Sequence, residues 1–217
     1  MNPRRLTPRS SGAPTAGHQA RSGGTRYIFA SPGLASCRRR PLSSNVRPQN
    51  SHCMPLELRK ARTVDFPALQ QMLELYQYEL SDIWNQDTDA EAKFGYELER
   101  HRQDERFHAH VALEGSQYVG FALVAPAIVT RKEGSWMEQF FILKRHRRAG
   151  VGRALALHVL HSHPGPWEVG QMPANVAAQA FWRKVIATAT EGAFVEVQVT
   201  QGWWQGVVQQ LHVASEA

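Results

Sequence analysis

The chain has 217 residues, 42% of them hydrophobic and 20% charged, an ordinary globular composition whose length suits one domain with an extension. A formal charge of +6 would point to a nucleic-acid or membrane partner if it were spread over the fold. It is not: residues 1–53 hold nine arginines and no lysine, aspartate or glutamate, and the rest carries 16 basic and 19 acidic residues, a net charge of −3.

The 1–53 leader is rich in Arg, Ser, Pro and Gly and lacks hydrophobic periodicity, so it is expected to be disordered. Three origins stay open for it: upstream sequence preceding a true start at Met54, an organelle transit peptide, or a functional basic tail. The abrupt change of composition at Met54 favours the first. Both cysteines, Cys37 and Cys53, fall in this leader. Residues 54–217 therefore have no thiol nucleophile, disulfide or cysteine metal site. No apolar run approaches the roughly 20 residues of a membrane span, so no membrane partner is expected.

From Met54 onward the patterns begin at once. Residues 56–63 alternate as a half-buried strand does, and Asp65, an N-cap candidate with Pro67 behind it, opens an amphipathic helix through Phe66, Leu69, Leu73, Tyr76 and Leu80. Residues 88–103 read as a second, more solvated helix. Strands are expected at 107–113 and 117–124, joined through Glu114-Gly115-Ser116, and at 136–143. A helix over 151–161, a short strand over 167–171 and a helix over 175–186 follow. Two closing strands, 194–197 and 203–213, place Trp203 and Trp204 with one ring inward and one outward. The order β-α-α-β-β-β-α-β-α-β-β implies a mixed sheet covered by helices.

The most informative segment is 136–160, WMEQFFILKRHRRAGVGRALALHVL. A strand runs into a turn with Arg147, Arg148, Ala149, Gly150, Val151, Gly152 and Arg153, and a helix follows. Glycine lets a ligand approach the backbone, and the first N–H groups of a helix are unsatisfied and electropositive, a phosphate-binding arrangement. Lys144, Arg145, Arg147, Arg148 and Arg153 add charge. The dinucleotide fingerprint lacks its third glycine, since Leu155 stands there, and the Gly-Lys-Ser/Thr of an ATP-type loop is absent.

The stretch Arg147-Arg148-Ala149-Gly150-Val151-Gly152 resembles the pyrophosphate motif Arg/Gln-x-x-Gly-x-Gly/Ala of the GNAT acetyltransferase superfamily. Residues 175–186, NVAAQAFWRKVI, resemble its second motif at Asn175, Ala178, Phe181 and Lys184. The resemblance covers residues 56–200. It implies an α/β (α+β) fold with a mostly antiparallel six- to seven-stranded mixed sheet, helices on its faces and splayed central parallel strands. It further implies acetyl-CoA as co-substrate, with its pantetheine hydrogen-bonded near Phe141 and Ile142, its pyrophosphate on residues 147–153, and Asn175 touching the pantetheine unless that side chain caps its own helix.

In such chemistry an amine attacks the thioester after losing a proton, so a base is needed. Glu138, on the central strand and sharing a face with Trp136 and Phe140, is the first candidate; an ordinary strand residue is the alternative. Glu168 is the second choice. The tyrosine that commonly protonates the departing thiolate is replaced by Trp182, whose indole donates a hydrogen bond but no proton. Tyr76, or Tyr78, is the substitute acid, unless these tyrosines only line the core. His158, His161 and His163 lack a zinc-type signature, and no metal is expected.

The expected activity is transfer of an acetyl group to a primary amine, on a small molecule or a protein. The alternative is a CoA-binding sensor or interaction module that has lost catalysis. The sequence disfavours nucleic acid as a partner, because recognition motifs and interleaved aromatics are absent, and leaves a homodimer open. The expected compartment is the cytoplasm, or an organelle matrix if the leader is a transit peptide.

Overall fold

The computed structural model describes residues 54–127 and 129–215; the leader and its expected disorder lie outside them. Among the described residues, seven strands form one sheet: β1 (Leu56–Lys60), β2 (His108–Glu114), β3 (Gln117–Pro126), β4 (Ser135–Ile142), β5 (Gly165–Gln171), β6 (Phe194–Val199) and β7 (Gly206–Val213). Their spatial order is β1-β2-β3-β4-β5-β7-β6. Every neighbouring pair is antiparallel except β4 and β5, which run parallel. The α-helices are α1 (Phe66–Trp84), α2 (Glu99–Gln103), α3 (Val151–Ser162) and α4 (Val176–Ala189). A parallel pair needs a long return path, and α3 supplies it between β4 and β5.

Helices cover both faces. On one, α3 and α4 bury Val151, Leu155, Val159, Leu160, Trp182, Val185 and Ile186 against Ala122, Val124, Met137 and Ile142. On the other, α1 sets Phe66, Leu69, Met72 and Leu73 on Val111, Phe121, Leu123 and Phe141. Those α1 residues recur at three and four, the spacing that gives a helix one apolar stripe. A third cluster, around Trp136 and Val208, takes in Phe107, Val197, Val199 and Trp204.

Asp65 stands at the start of α1 without making a side-chain cap. Its buried carboxylate instead accepts from both Arg59 Nη atoms at 2.6 and 3.0 Å, from the Tyr118 hydroxyl at 2.6 Å and from the Arg62 N–H. It thereby ties β1, α1 and β3 together. The Arg59 guanidinium holds the Asp65 carboxyl far below the usual carboxylate range, against the opposing effect of burial.

The helix expected over 88–103 is the main correction to the predicted elements, for only Glu99–Gln103 is α-helical. The preceding segment is a loop tied down by side chains. Asp89 Oδ1 accepts from the N–H groups of Glu91 and Lys93, Glu74 accepts from the Phe94 N–H, and Gln70 donates to the Tyr96 carbonyl. Such aspartate turns compete with a helix for the same backbone groups. The last strand likewise begins at Gly206, leaving Trp203 and Trp204 in the preceding loop. Trp203 is exposed and Trp204 packs inward.

Candidate active site

Strands β4 and β5 pair only through Ser135↔Trp167 and Trp136↔Glu168, and beyond them they diverge into a notch. The register with β3 slips at the same level: Leu123 faces Gln139 while Val124 faces Met137, so Glu138 is the extra residue of a β-bulge. A bulge breaks the alternation of side chains. Phe140 consequently packs on Phe181 and Trp182 of α4, with ring centroids 5.6 and 5.0 Å away. Glu138 meets Arg100 and His101 on the α2 face. The expectation that Glu138 and Phe140 share a face is thus corrected by the bulge, which no residue pattern announces.

Leu143 donates its N–H to the Val119 carbonyl of β3. By the alternation of an antiparallel ladder, Phe141 and Gln139 also exchange bonds with β3, whereas Phe140 and Ile142 turn theirs to the open β5 side. Of the expected pair Phe141 and Ile142, the backbone of Ile142 therefore borders the notch, and that of Phe141 does not.

The turn at the end of β4 leads into α3. Gly150, at φ +86°, holds a left-handed conformation that a side chain resists, and a Cβ there would meet nothing within 4 Å. No side chain caps the helix, so its first N–H groups face an open cradle. Lys144, Arg145, Arg148 and Arg153 are exposed around it and have no carboxylate partner among the described residues.

Arg147 behaves otherwise. It donates from Nε to the Ile142 carbonyl at 2.7 Å and from both Nη atoms to Glu79 of α1 at 2.6 and 2.8 Å, lying over the Phe141 ring. Its expected charge contribution to the cradle is thereby matched by Glu79, and its side chain braces β4 against α1. Four cations, aligned N–H groups and an open cradle fit a pyrophosphate.

On the α2 side of the bulge lies a buried polar cluster. Glu138 Oε1 accepts from Arg100 Nη2 at 3.0 Å, and Oε2 is 3.1 Å from His101 Nε2. The Tyr96 hydroxyl lies against Glu138 and Gln139. Tyr96 Oη, both His101 ring nitrogens, Glu138 Oε2 and Gln139 Oε1 are all buried without a well-aligned hydrogen bond. Buried polar atoms are nearly always satisfied, and a group of them converging on one place marks where a polar ligand or water belongs. Burial raises the Glu138 carboxyl, but contact with His101 and the Arg100 charge outweigh it, so it sits below its ordinary value and is ionised at neutral pH. Burial pushes the Tyr96 phenol well above its ordinary value, aided by the Glu138 charge.

The other candidates lie elsewhere. Glu168 is fully buried and accepts from the N–H groups of Val129 and Thr130 and from the Thr130 hydroxyl, so it clamps a loop and is not free to act as a base. Tyr76 packs edge-on against Trp84, Phe121 and Phe141, and burial drives its phenol far up. It is part of the α1 core. Tyr78 is exposed. Asn175 Oδ1 accepts from the Ala178 N–H at 3.1 Å, which makes it the cap of α4; the pantetheine contact implied by the resemblance would compete with that bond. The residues that sequence reasoning missed are Tyr96, Arg100, His101 and Gln139. The first three lie on a segment whose pattern reads as one continuous helix, roughly 40 residues from Glu138, and carry no motif.

His158 and His163 do meet other imidazoles: His110 and His163 bring their Nε2 atoms to 2.9 Å, His108 stacks on His163, and His158 lies edge-on to His110. Among the described residues no group of three or more His, Cys, Asp or Glu is placed to hold a metal ion. None of their helices is long and apolar enough to cross a membrane.

Solved proteins of this shape include several acetyltransferases. An acetyltransferase from Thermus thermophilus superposes with a TM-score of 0.55 at 18% identity, covering 75% of this chain and 99% of that one. The ribosomal-protein-alanine N-acetyltransferase of Brucella melitensis gives 0.53 at 23% identity, over 72% and 99%. The yncA acetyltransferase of Salmonella typhimurium, solved with acetyl-CoA, gives 0.52 at 16% identity, over 75% and 96%. These identities establish a shared fold; no curated protein sequence matches the chain. The sequence model of the acetyltransferase (GNAT) family matches residues 69–186, more than half the chain, from α1 to the last turns of α4. The chain belongs to the GNAT acetyltransferase family.

Proposed function

We propose that the protein transfers the acetyl group of acetyl-CoA to a primary amine by direct attack, with Glu138 as general base. The single observation that carries this reading is the bulge at Glu138. It turns an ionised carboxylate to the α2 face, beside Arg100, His101 and Tyr96, at the level where β4 and β5 part. The solved yncA relative holds acetyl-CoA, and the cradle at Gly150 suits the pyrophosphate of the same molecule. Residues 148–153 would hold the phosphates, and the Phe140 backbone and the Ile142 N–H would face the pantetheine, the Ile142 carbonyl being taken by Arg147.

When bound, acetyl-CoA supplies an activated thioester carbonyl. The chain's own part is proton handling. The acceptor arrives as an ammonium and gives one proton to Glu138; its neutral nitrogen forms the C–N bond as the C–S bond breaks, and the nitrogen's second proton leaves with the sulfur. Arg100 and His101 keep Glu138 ionised between turnovers. The Tyr96 hydroxyl stands in the same cluster and steadies the Glu138 carboxylate; with its phenol pushed well up by burial and by Glu138, it is no readier a proton source for the sulfur than Tyr76. Trp182 in the position of the usual tyrosine favours the second reading, a CoA-binding module without turnover.

The deciding experiment is CoA release by the full chain with a panel of primary amines. Glu138→Gln is expected to lower kcat by about 10²–10⁴ while acetyl-CoA binding is retained. Binding without release by any amine would establish the second reading instead.

A further inference from the structure

The acceptor side of the bulge carries a wall of tryptophan that the chemistry so far leaves unused. Trp136 and Glu138 lie two residues apart on β4, about 6–7 Å along the strand, and both belong to the α2 side of the sheet. Past the point where β4 and β5 part, the Trp136 and Trp204 rings lie over Gly170 of β5. A Cβ at that glycine would collide with Trp136 and come within 2.8 Å of Trp204 Cζ2. Trp203 stands beside them, its ring centroid 6.1 Å from Trp136 and 6.3 Å from Trp204, and is 60% exposed. The Trp204 Nε1–H is buried without an acceptor.

We propose that the acceptor is an aromatic primary amine bearing a single positive charge, its ring held against Trp203 on this wall and its amine at Glu138. The inference rests on the acetyltransferase reading and adds the acceptor class to it. An indole face exposed beside one buried and one partly buried indole offers a planar ligand edge-on or offset contact, the favoured geometry for aromatic pairs. Phe107 packs in the same cluster and carries it toward Glu138 by touching His101 edge-on at 5.4 Å. Arg100, whose guanidinium lies 4.9 Å over Phe107, is half exposed there. Arg100, 3.0 Å from Glu138, already faces the ammonium delivered there, and a second cationic centre on the acceptor would add to that repulsion, so a polyamine is disfavoured against a monoamine with an apolar body.

The test is CoA release by the full chain with 2-phenylethylamine and tryptamine, against n-butylamine and spermidine. The aromatic amines are expected to exceed n-butylamine in kcat/KM by about tenfold or more, through KM, as an aromatic contact of ordinary strength gives. Trp203→Ala, which removes an exposed side chain, is expected to shrink that ratio below about threefold, while thermal stabilisation by acetyl-CoA reports an intact fold and donor site. Binding has its own readout: 2-phenylethylamine, which carries no indole of its own, should change the tryptophan emission of the wild type and not of the variant. A preference for spermidine or n-butylamine, or an aromatic preference untouched by Trp203→Ala, overturns the acceptor assignment and leaves the acetyltransferase reading standing. Absence of acetyl-CoA stabilisation and of CoA release with every amine overturns both.

Discussion

Acid should weaken this domain in a window set by histidines. His110, 2% exposed on β2, faces His163 through Nε2 atoms 2.9 Å apart, with His108 stacked on His163, His158 edge-on and Lys60 nearby. Burial, reinforced by the neighbouring imidazoles and Lys60, lowers the His110 pKa to about 3. In the unfolded chain the same group titrates near ~6.5. The unfolded state therefore binds the extra proton first, so the stability contributed by neutral His110 is full above pH 6.5 and is lost as the pH falls from there toward 3. At pH 5 the loss from this one residue is about 2 kcal/mol, or about 4–8 °C in Tm for a domain of this size. Thermal melts at pH 7 and pH 5 for the wild type and for His110→Gln, which keeps a polar partner for His163, measure it. The carboxylates held low by ion pairs, Asp65 and Glu196, lose their contribution only below the ordinary carboxylate range and do not obscure the window. A wild-type Tm unchanged between pH 7 and 5, or an equal drop in the variant, would refute the reasoning.

Asp65→Ala strands the Arg59 guanidinium and the Tyr118 hydroxyl at one buried point; the expected loss is about 3–5 kcal/mol, read from the urea midpoint, and a loss under about 1 kcal/mol would contradict the clamp. Gly170→Val drives a side chain into the Trp136 and Trp204 rings. It should cost about 1–3 kcal/mol and alter near-ultraviolet circular dichroism, and an unchanged spectrum at unchanged stability would count against the stacked wall. Arg147→Ala removes the link between the Ile142 carbonyl and Glu79. Because its charge is already paired, its effect should appear more in Tm than in the salt dependence of acetyl-CoA affinity, and the reverse pattern would restore it as a phosphate ligand.

Long apolar periodicities transmit well from sequence to structure. Phe66, Leu69 and Leu73 on α1 and Leu155 and Val159 on α3 face the sheet as their spacing requires, and the glycine turn before α3 is where the motif places it. Local polar competition does not transmit so well. Asp89 and the α1 side chains Gln70 and Glu74 capture backbone groups of the 88–98 segment, and a helical pattern becomes a loop. The site itself depends on the bulge at Glu138, a property of two paired strands rather than of either one. That is why Glu138 is legible as a candidate while its companions Tyr96, Arg100 and His101 are not. Asn175 and Arg147 show the converse, since motif positions with a plausible ligand role are already engaged by the fold's own backbone or carboxylates.

The most direct test of the account is thermal stabilisation of the full chain by acetyl-CoA, against ATP and NADH, with Gly150→Trp as control. Gly150 faces open space, so the added indole fills the cradle, and the strain of a left-handed side chain costs only about 1–2 kcal/mol. At a concentration about 100 times its dissociation constant, acetyl-CoA should stabilise the wild type by about 2.7 kcal/mol and the variant not at all. Equal stabilisation of both proteins, or none of the wild type, would contradict the placement of acetyl-CoA at the start of α3.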